Sequence, residues 1–175
     1  RSSDLVPAEG NGESQRIGRT YTITSLHIKG YVSMDENEGI LNPIDDQFCR
    51  IIVYWDRQTN SAEATATDIM DGGGSFDYLA FRNLQNTSRF IVLFDRLVTF
   101  VINNQTSEGA PDKYANGRRK IPFTVNRKFK KGIKVRCDAT AANVSSVTDN
   151  NIGIAACGST TSTNIAYQAR IRFTG

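Results

Sequence analysis

The sequence predicts an all-β fold, an eight-stranded jelly-roll sandwich, and three observations carry that expectation. From Ile17 onward, Val, Ile, Thr, Tyr and Phe cluster in short runs separated by Gly, Asn, Asp and Ser, the punctuation of strands and turns. Within the runs, apolar and polar residues alternate with period 2. The connections alternate short and long, as they must where two four-stranded sheets share a narrow end of turns and a wide end of loops. A chain of 175 residues is one domain of ordinary size, able to bury roughly 70% of its unfolded surface.

Residues 1–16 (RSSDLVPAEGNGESQR) are polar and aperiodic and read as an N-terminal arm, leaving 17–175 as the sandwich domain. Eight strands, lettered B to I, follow. In B (17–32), Ile17, Tyr21 and Ile23 share one face, then Leu26, Ile28 and Val32 take over; a one-residue slip near Thr24–Ser25 is the mark of a bulge. Strand C, Phe48–Trp55, is apolar on both faces, so it is covered on both sides. Ser61–Met70 is Ala-rich with a Ser start and stops at Asp71-Gly72-Gly73-Gly74, which predicts one short helix in the C–D loop. The glycine run lacks the strand-before, helix-after context and the Lys-Ser/Thr of a phosphate cradle. Arg89–Asn103 is the most hydrophobic stretch, and Asp95-Arg96 interrupts it, which predicts D and E joined by a tight corner. F (Lys120–Lys128) places Ile121, Phe123 and Val125 inward. After a turn at Lys130-Lys131-Gly132, G (Ile133–Asp138) does the same with Ile133, Val135 and Cys137. H (Asn151–Cys157) and I (Ile165–Phe173) alternate cleanly. Long loops then fall at C–D, E–F and G–H, as BIDG and CHEF sheets require; the long B–C link at Ser33–Gln47 is the exception. A plain immunoglobulin-type sandwich does not explain the alternation.

Composition narrows the function. With 39% hydrophobic, 9% aromatic and 22% charged residues, the chain is not wholly disordered. No stretch approaches the ~20 apolar residues of a membrane span, and no apolar run follows Arg1-Ser2-Ser3-Asp4, so neither a membrane partner nor a secretory signal is expected. Cys49, Cys137 and Cys157 show no ligand spacing and read as small buried residues in a reducing compartment rather than as a disulfide and a reactive thiol. His27 is the single histidine, which leaves ordinary triads and multi-His metal sites without their parts. No catalytic constellation emerges, so no enzyme, metal or cofactor is expected. Asp35-Glu36, Glu38 and Asp45-Asp46 read as a solvated acidic loop in preference to a cation site. Asn86, Asn104 and Asn143 are chance matches to the glycosylation pattern.

Net charge is +3, unevenly spread: residues 117–175 hold 11 basic and 2 acidic side chains, a balance of +9. Such a segment suits a polyanion, nucleic acid first and an acidic membrane surface second, or simply a solvated patch. The strand phases put Lys134, Arg136, Arg170 and Arg172 on the non-core face, with His27 and Lys29 from strand B.

Several segments resemble one family in series. Ser25–Gly30 running into Met34-Asp35-Glu36-Asn37, and Ile52-Val53-Tyr54-Trp55-Asp56-Arg57, resemble the first two strands of geminivirus-type capsid proteins. Arg89-Phe90-Ile91-Val92-Leu93-Phe94-Asp95-Arg96 is similar to an Arg-Phe-x-Val-Leu-x-Asp element of circovirus and related capsids. Ala166–Gly175, with its Arg-Ile-Arg-Phe, matches their last strand in character and position. The resemblance spans about 16–175. It implies a capsid protein of a circular, Rep-encoding single-stranded DNA virus. Copies would assemble with themselves into a small icosahedral shell on the order of sixty strong, found in the virion and, during assembly, in the host nucleus. These families carry a strongly basic N-terminal arm for DNA and nuclear import; residues 1–15 hold Arg1 against Asp4, Glu9 and Glu13 and depart from that pattern.

In such a capsid the B-I-D-G sheet turns its outer face toward the genome. The resemblance thus implies that Arg16, Arg19, Lys29, Lys134, Arg136, Arg170 and Arg172 bind single-stranded DNA without sequence preference. Lys128, Lys130 and Lys131 would bracket the F–G turn near a fivefold axis, and Arg118-Arg119-Lys120 would form a weak import patch. Tyr21 and Tyr31 could stack bases, but core packing is the favoured expectation for both. The competing functions are a jelly-roll binding module, carbohydrate-binding or cytokine-like, and a non-viral nucleic-acid-binding β-domain. A sugar site should show paired exposed aromatics, whereas the only Trp, Trp55, lies inside an apolar strand.

Overall fold

Period-2 alternation becomes strand over most of what the computed structural model describes, residues 5–12, 15–34, 47–71, 78–100, 120–158 and 163–175. Six long strands dominate: β1 (Thr20–Met34), β2 (Gln47–Asp56), β5 (Phe90–Phe100), β6 (Lys120–Cys137), β8 (Asn151–Gly158) and β9 (Thr163–Thr174). β3 (Met70–Asp71), β4 (Phe81–Arg82) and β7 (Val147–Asp149) are short, and α1 (Ala66–Ile69) is a single turn. The order is β7-β6-β1-β9 in one sheet and β5-β2-β8 in the other, antiparallel throughout, with β3 and β4 a separate ladder. The fold is an all-β sandwich with one short helix between the second and third long strands, as the alternation predicts. The acidic residues of 35–46, the glycines of 72–74, residues 101–119 with Arg118, Arg119 and Asn104, and residues 1–4 lie outside the described residues.

The slip expected in the first strand is present: register shifts between Ile23 and Ser25 against both neighbours. Its counterpart on β6 corrects the expected F–G turn. Ile23 faces Ile133 and Ser25 faces Lys128, so residues 129–132 bulge opposite Thr24 while F and G continue as one strand along β1. Gly132 takes φ +65°, and a Cβ there would sit 2.3 Å from Thr22 Cγ2. A bulge needs the same backbone-permissive glycine as a turn, which is why the local pattern does not separate the two.

D and E likewise form one strand, correcting the expected corner at Asp95-Arg96. Both charges are accommodated in mid-strand. Asp95 takes a bidentate pair from Arg50 on β2 (Nε 2.8 Å, Nη2 2.7 Å), and Arg96 donates to the Pro122 carbonyl at 3.4 Å. A one-residue bulge at Leu93, between Phe94 (opposite Val53) and Val92 (opposite Tyr54), presents a carbonyl that accepts from Arg127 Nε (3.0 Å) and Nη2 (2.7 Å) on the other sheet. With D–E and F–G each merged into one strand, the letters of BIDG and CHEF cannot be carried over one for one. Of the pairs those orders require, B–I (β1 with β9) and C–H (β2 with β8) are formed. The D–E strand adds instead to β2, and the F–G strand to β1.

The core lies between the sheets: Leu26, Ile28, Val32, Phe123 and Val125 meet Ile51, Val53, Val98, Phe100, Ile152 and Ile154. The second apolar face of β2 is covered as the sequence requires. Ile52 and Tyr54 pack with Phe90 against Ile69 and Met70, so α1 and β3 supply the cover. Burial pushes the Tyr54 hydroxyl up to about 12, with Asp56 adding to the effect. Asp68 braces the start of α1: the Thr65 amide (2.8 Å) and hydroxyl (2.7 Å) both donate to Asp68 Oδ2. Of the cysteines, Cys49 and Cys137 are buried and Cys157 is half-buried. Burial foremost, then Cys157, raises the Cys49 thiol to about 12. That suits inert packing residues.

The segment before β1 folds onto the sandwich. Val6 enters the core, the Glu9 amide donates to the Thr140 carbonyl (3.3 Å), and the Arg16 amide donates to the Ala8 carbonyl (2.9 Å).

Candidate nucleic-acid interface

β1, β6 and β9 contain ten Lys and Arg and not one Asp or Glu. Directly paired residues of an antiparallel sheet share a face, so the register lays out the outer surface row by row. Lys134, Thr22 and Thr174 form one row; Lys128, Ser25 and Arg172 the next across the bulge; then Asn126, His27 and Arg170; Thr124, Lys29 and Gln168; Pro122, Tyr31 and Ala166; and Lys120, Ser33 and Asn164. Rows two residues apart along a strand are spaced by about 6.8 Å. Arg136 extends the face beside Thr20. Its Nη1 lies 3.7 Å from Asp149 Oδ2 at the β7 edge, both side chains substantially exposed, a pair that water and salt weaken.

The structure thus brings together Lys29, Lys134, Arg136, Arg170 and Arg172 as expected, with His27 among them. It also adds Lys128 and Lys120. Lys128 stands in the row of Arg172, on a strand rather than at an axial turn, while Lys130 and Lys131 are exposed on the bulge. That corrects the narrow-end cluster. The addition of Lys120 and Lys128 was legible in the sequence, since both alternate against inward Ile121, Phe123 and Val125.

Two expected contacts change. Arg16 is 0% exposed. Its guanidinium donates to the carbonyls of Pro7 (3.2 Å), Gly18 and Ala139, and to Glu9 Oε2 (3.4 Å). A cation so enclosed ties the leading segment to the 139–140 loop and is not offered to a phosphate. Arg19 is exposed one residue before β1, where its carbonyl accepts from the Cys137 amide at 2.7 Å. It stands at the sheet's end, in phase with inward Tyr21 rather than with the outer row.

The tyrosines divide. Tyr21 is core, 2% exposed and edge-on to Phe173; burial, then the charge of Cys137, pushes its hydroxyl well above the usual range. Tyr31 is 37% exposed on the outer face, with the Lys120 ammonium 5.2 Å from its ring centroid. Trp55 is half-buried and donates Nε1–H to Asn150 Oδ1 at 2.9 Å, which is not an exposed sugar platform.

A second polar feature is a cleft of about 460 Å³ lined by Arg57, Gln58, Ser88, Arg89, Asp149 and Asn150. Its arginines are engaged internally: Arg57 on the Ser88 carbonyl (3.1 Å), Arg89 in a bidentate pair with buried Asp56 (2.8 and 2.9 Å). Hydrogen bonding to Asp56 raises the Arg89 guanidinium further above its ordinary value, against the opposing effect of burial. Among the described residues, no three His, Cys, Asp or Glu side chains converge as a metal site.

No family model matches this chain, and no curated protein matches it.

Proposed function

We propose that this protein is a capsid subunit that assembles with copies of itself into a small shell and holds a single-stranded DNA genome on the outer face of its four-stranded sheet. The observation that carries the DNA half is the carboxylate-free set β1, β6 and β9. Arg170 and Arg172 offer planar, bidentate donors to phosphate oxygens, while Lys29, Lys128 and Lys134 offer mobile point charges. Binding of this kind tracks the backbone, ignores sequence, and releases counterions.

The assembly half rests on the serial capsid-like motifs and on surface that one subunit leaves uncovered. Leu79, Phe81 and Leu84 are 64%, 85% and 80% exposed. The inward row of edge strand β9, Ile165, Tyr167, Ala169, Ile171 and Phe173, is only half-buried. Shell contacts are obligate interfaces, typically 2,000 Å² or more of area with apolar centres, and both patches fit that description. The site of action would be the virion, with assembly in the host nucleus.

The cation face, which needs no apolar contacts between copies, would equally serve one second reading, a non-viral β-domain that binds single strands without assembling. Electron microscopy of the full chain separates them. Closed, uniform particles are expected; a lone monomer at high concentration and neutral pH overturns the shell. Filter binding of a single-stranded oligonucleotide across a salt series tests the other half. A log-affinity slope of about −0.7 per phosphate neutralised is expected, and no salt-sensitive binding overturns the DNA half.

A further inference from the structure

Resting on that reading of the cation face, we propose that Tyr31 is a base-stacking point, so that the face holds unpaired bases as well as phosphates and selects single strands over duplex. The row that contains Tyr31 is the one without a polar partner: Pro122 stands opposite on β6 and Ala166 on β9. The ring therefore lies on a three-strand-wide apolar row within a cationic sheet. It is exposed although the other tyrosine of the strand is core, so the sandwich does not use it for packing.

Its surroundings fit a nucleotide. The Lys120 ammonium sits 5.2 Å from the ring centroid, an exposed cation–π contact that is weaker than base–aromatic stacking. An incoming base displaces the ammonium from the ring, and Lys120, on its flexible stem, moves to the nucleotide's phosphate. Lys29 and Gln168 occupy the adjacent row, with His27 and Arg170 beyond them. Cations thus flank the strip, and an amide is in reach of base edges. A duplex keeps its base faces inside the stack and presents only phosphates, so it gains from the cations and nothing from Tyr31.

Three probes of roughly twelve nucleotides test this on the full-length protein: a thymine oligomer, an abasic oligomer with the same phosphates, and a blunt duplex. The thymine oligomer is expected to bind about 5- to 150-fold more tightly than the abasic one, the range of one stacked base. Tyr31→Ala should erase most of that gap and leave the salt slope unchanged, because no charge is removed; Tyr31→Phe should preserve it, which controls for folding. Equal affinity for thymine and abasic oligomers, or a Tyr31→Ala variant that still discriminates, overturns the stacking role while leaving the cation face standing. Failure to bind all three at low salt overturns the cation-face reading and the stacking role with it.

Discussion

The strands of the three-stranded sheet, β2, β5 and β8, carry two arginines and two aspartates, and the molecule itself engages each. Arg50 pairs with Asp95, Asp56 with Arg89 from the preceding loop, and Arg96 reaches the Pro122 carbonyl. In the four-stranded sheet, β1, β6 and β9 carry ten cations and no anion, and apart from Arg127 on the Leu93 carbonyl and Arg136 beside Asp149, they stand toward solvent. Charge in the first sheet holds the fold. Charge in the second repels itself and works against the compact state, so stability does not explain it. The polyanionic partner proposed above would offset that repulsion.

The largest effect that sharpens this contrast is expected at Asp56. Its side chain is 2% exposed and bonded at both oxygens to Arg89. Asp56→Ala should lower the unfolding free energy by about 3–5 kcal/mol, read as a fall in denaturant midpoint, with no change in the salt slope for DNA. The reverse pattern is expected at the cation face. Arg170→Ala with Arg172→Ala should make the slope less negative by about 1.4, two cations at about 0.7 each, and leave stability within about 0.5 kcal/mol. A double variant with wild-type DNA binding would break the comparison.

Gly132 links the two properties, because its bulge carries Lys130 and Lys131. Gly132→Ala meets a positive φ and the Thr22 methyl, and a loss of about 1–3 kcal/mol is expected by thermal unfolding. The smallest effect lies at Asp68. Burial opposes its ionisation, but hydrogen bonds from Thr65 outweigh that and hold the carboxyl below the usual range. A group with a depressed folded pKa contributes stability above its unfolded pKa and loses it as pH falls through the folded value. Asp68→Asn should therefore cost about 0.5–1 kcal/mol at neutral pH and nothing once acid has protonated the wild type; paired melts at neutral and acid pH check both.

Much of the candidate site could be read before any strand was placed. Lys134 and Arg136 alternate against Ile133, Val135 and Cys137, and Arg170 and Arg172 against Ala169, Ile171 and Phe173, so their common side follows from parity. Arg16 could not be read that way. Arg16 is enclosed by Pro7, Gly18 and Ala139, the last 123 residues away, and no local pattern announces such a cage. Tyr31 shares its chemistry with Tyr21, and the slip at Thr24 sets the two on opposite faces; its apolar neighbours Pro122 and Ala166, from distant strands, come only with the register.

By itself the sequence determined that the chain is all-β, which residues of most runs point inward (Ile17, read with Tyr21 and Ile23, is instead exposed), where the first strand slips, and that β2 needs cover on both faces. These are local consequences of a two-residue repeat and of side-chain polarity. Tertiary structure alone decided that Asp95-Arg96 and Lys130-Lys131-Gly132 sit within continuous strands, that β5 joins β2 and β6 joins β1, and that α1 and β3 are the cover. Those outcomes depend on which distant strand supplies hydrogen bonds and counter-charges, Arg50 for Asp95 and β1 for the whole length of β6. A turn and a bulge ask the same of the local backbone, and only the partner distinguishes them.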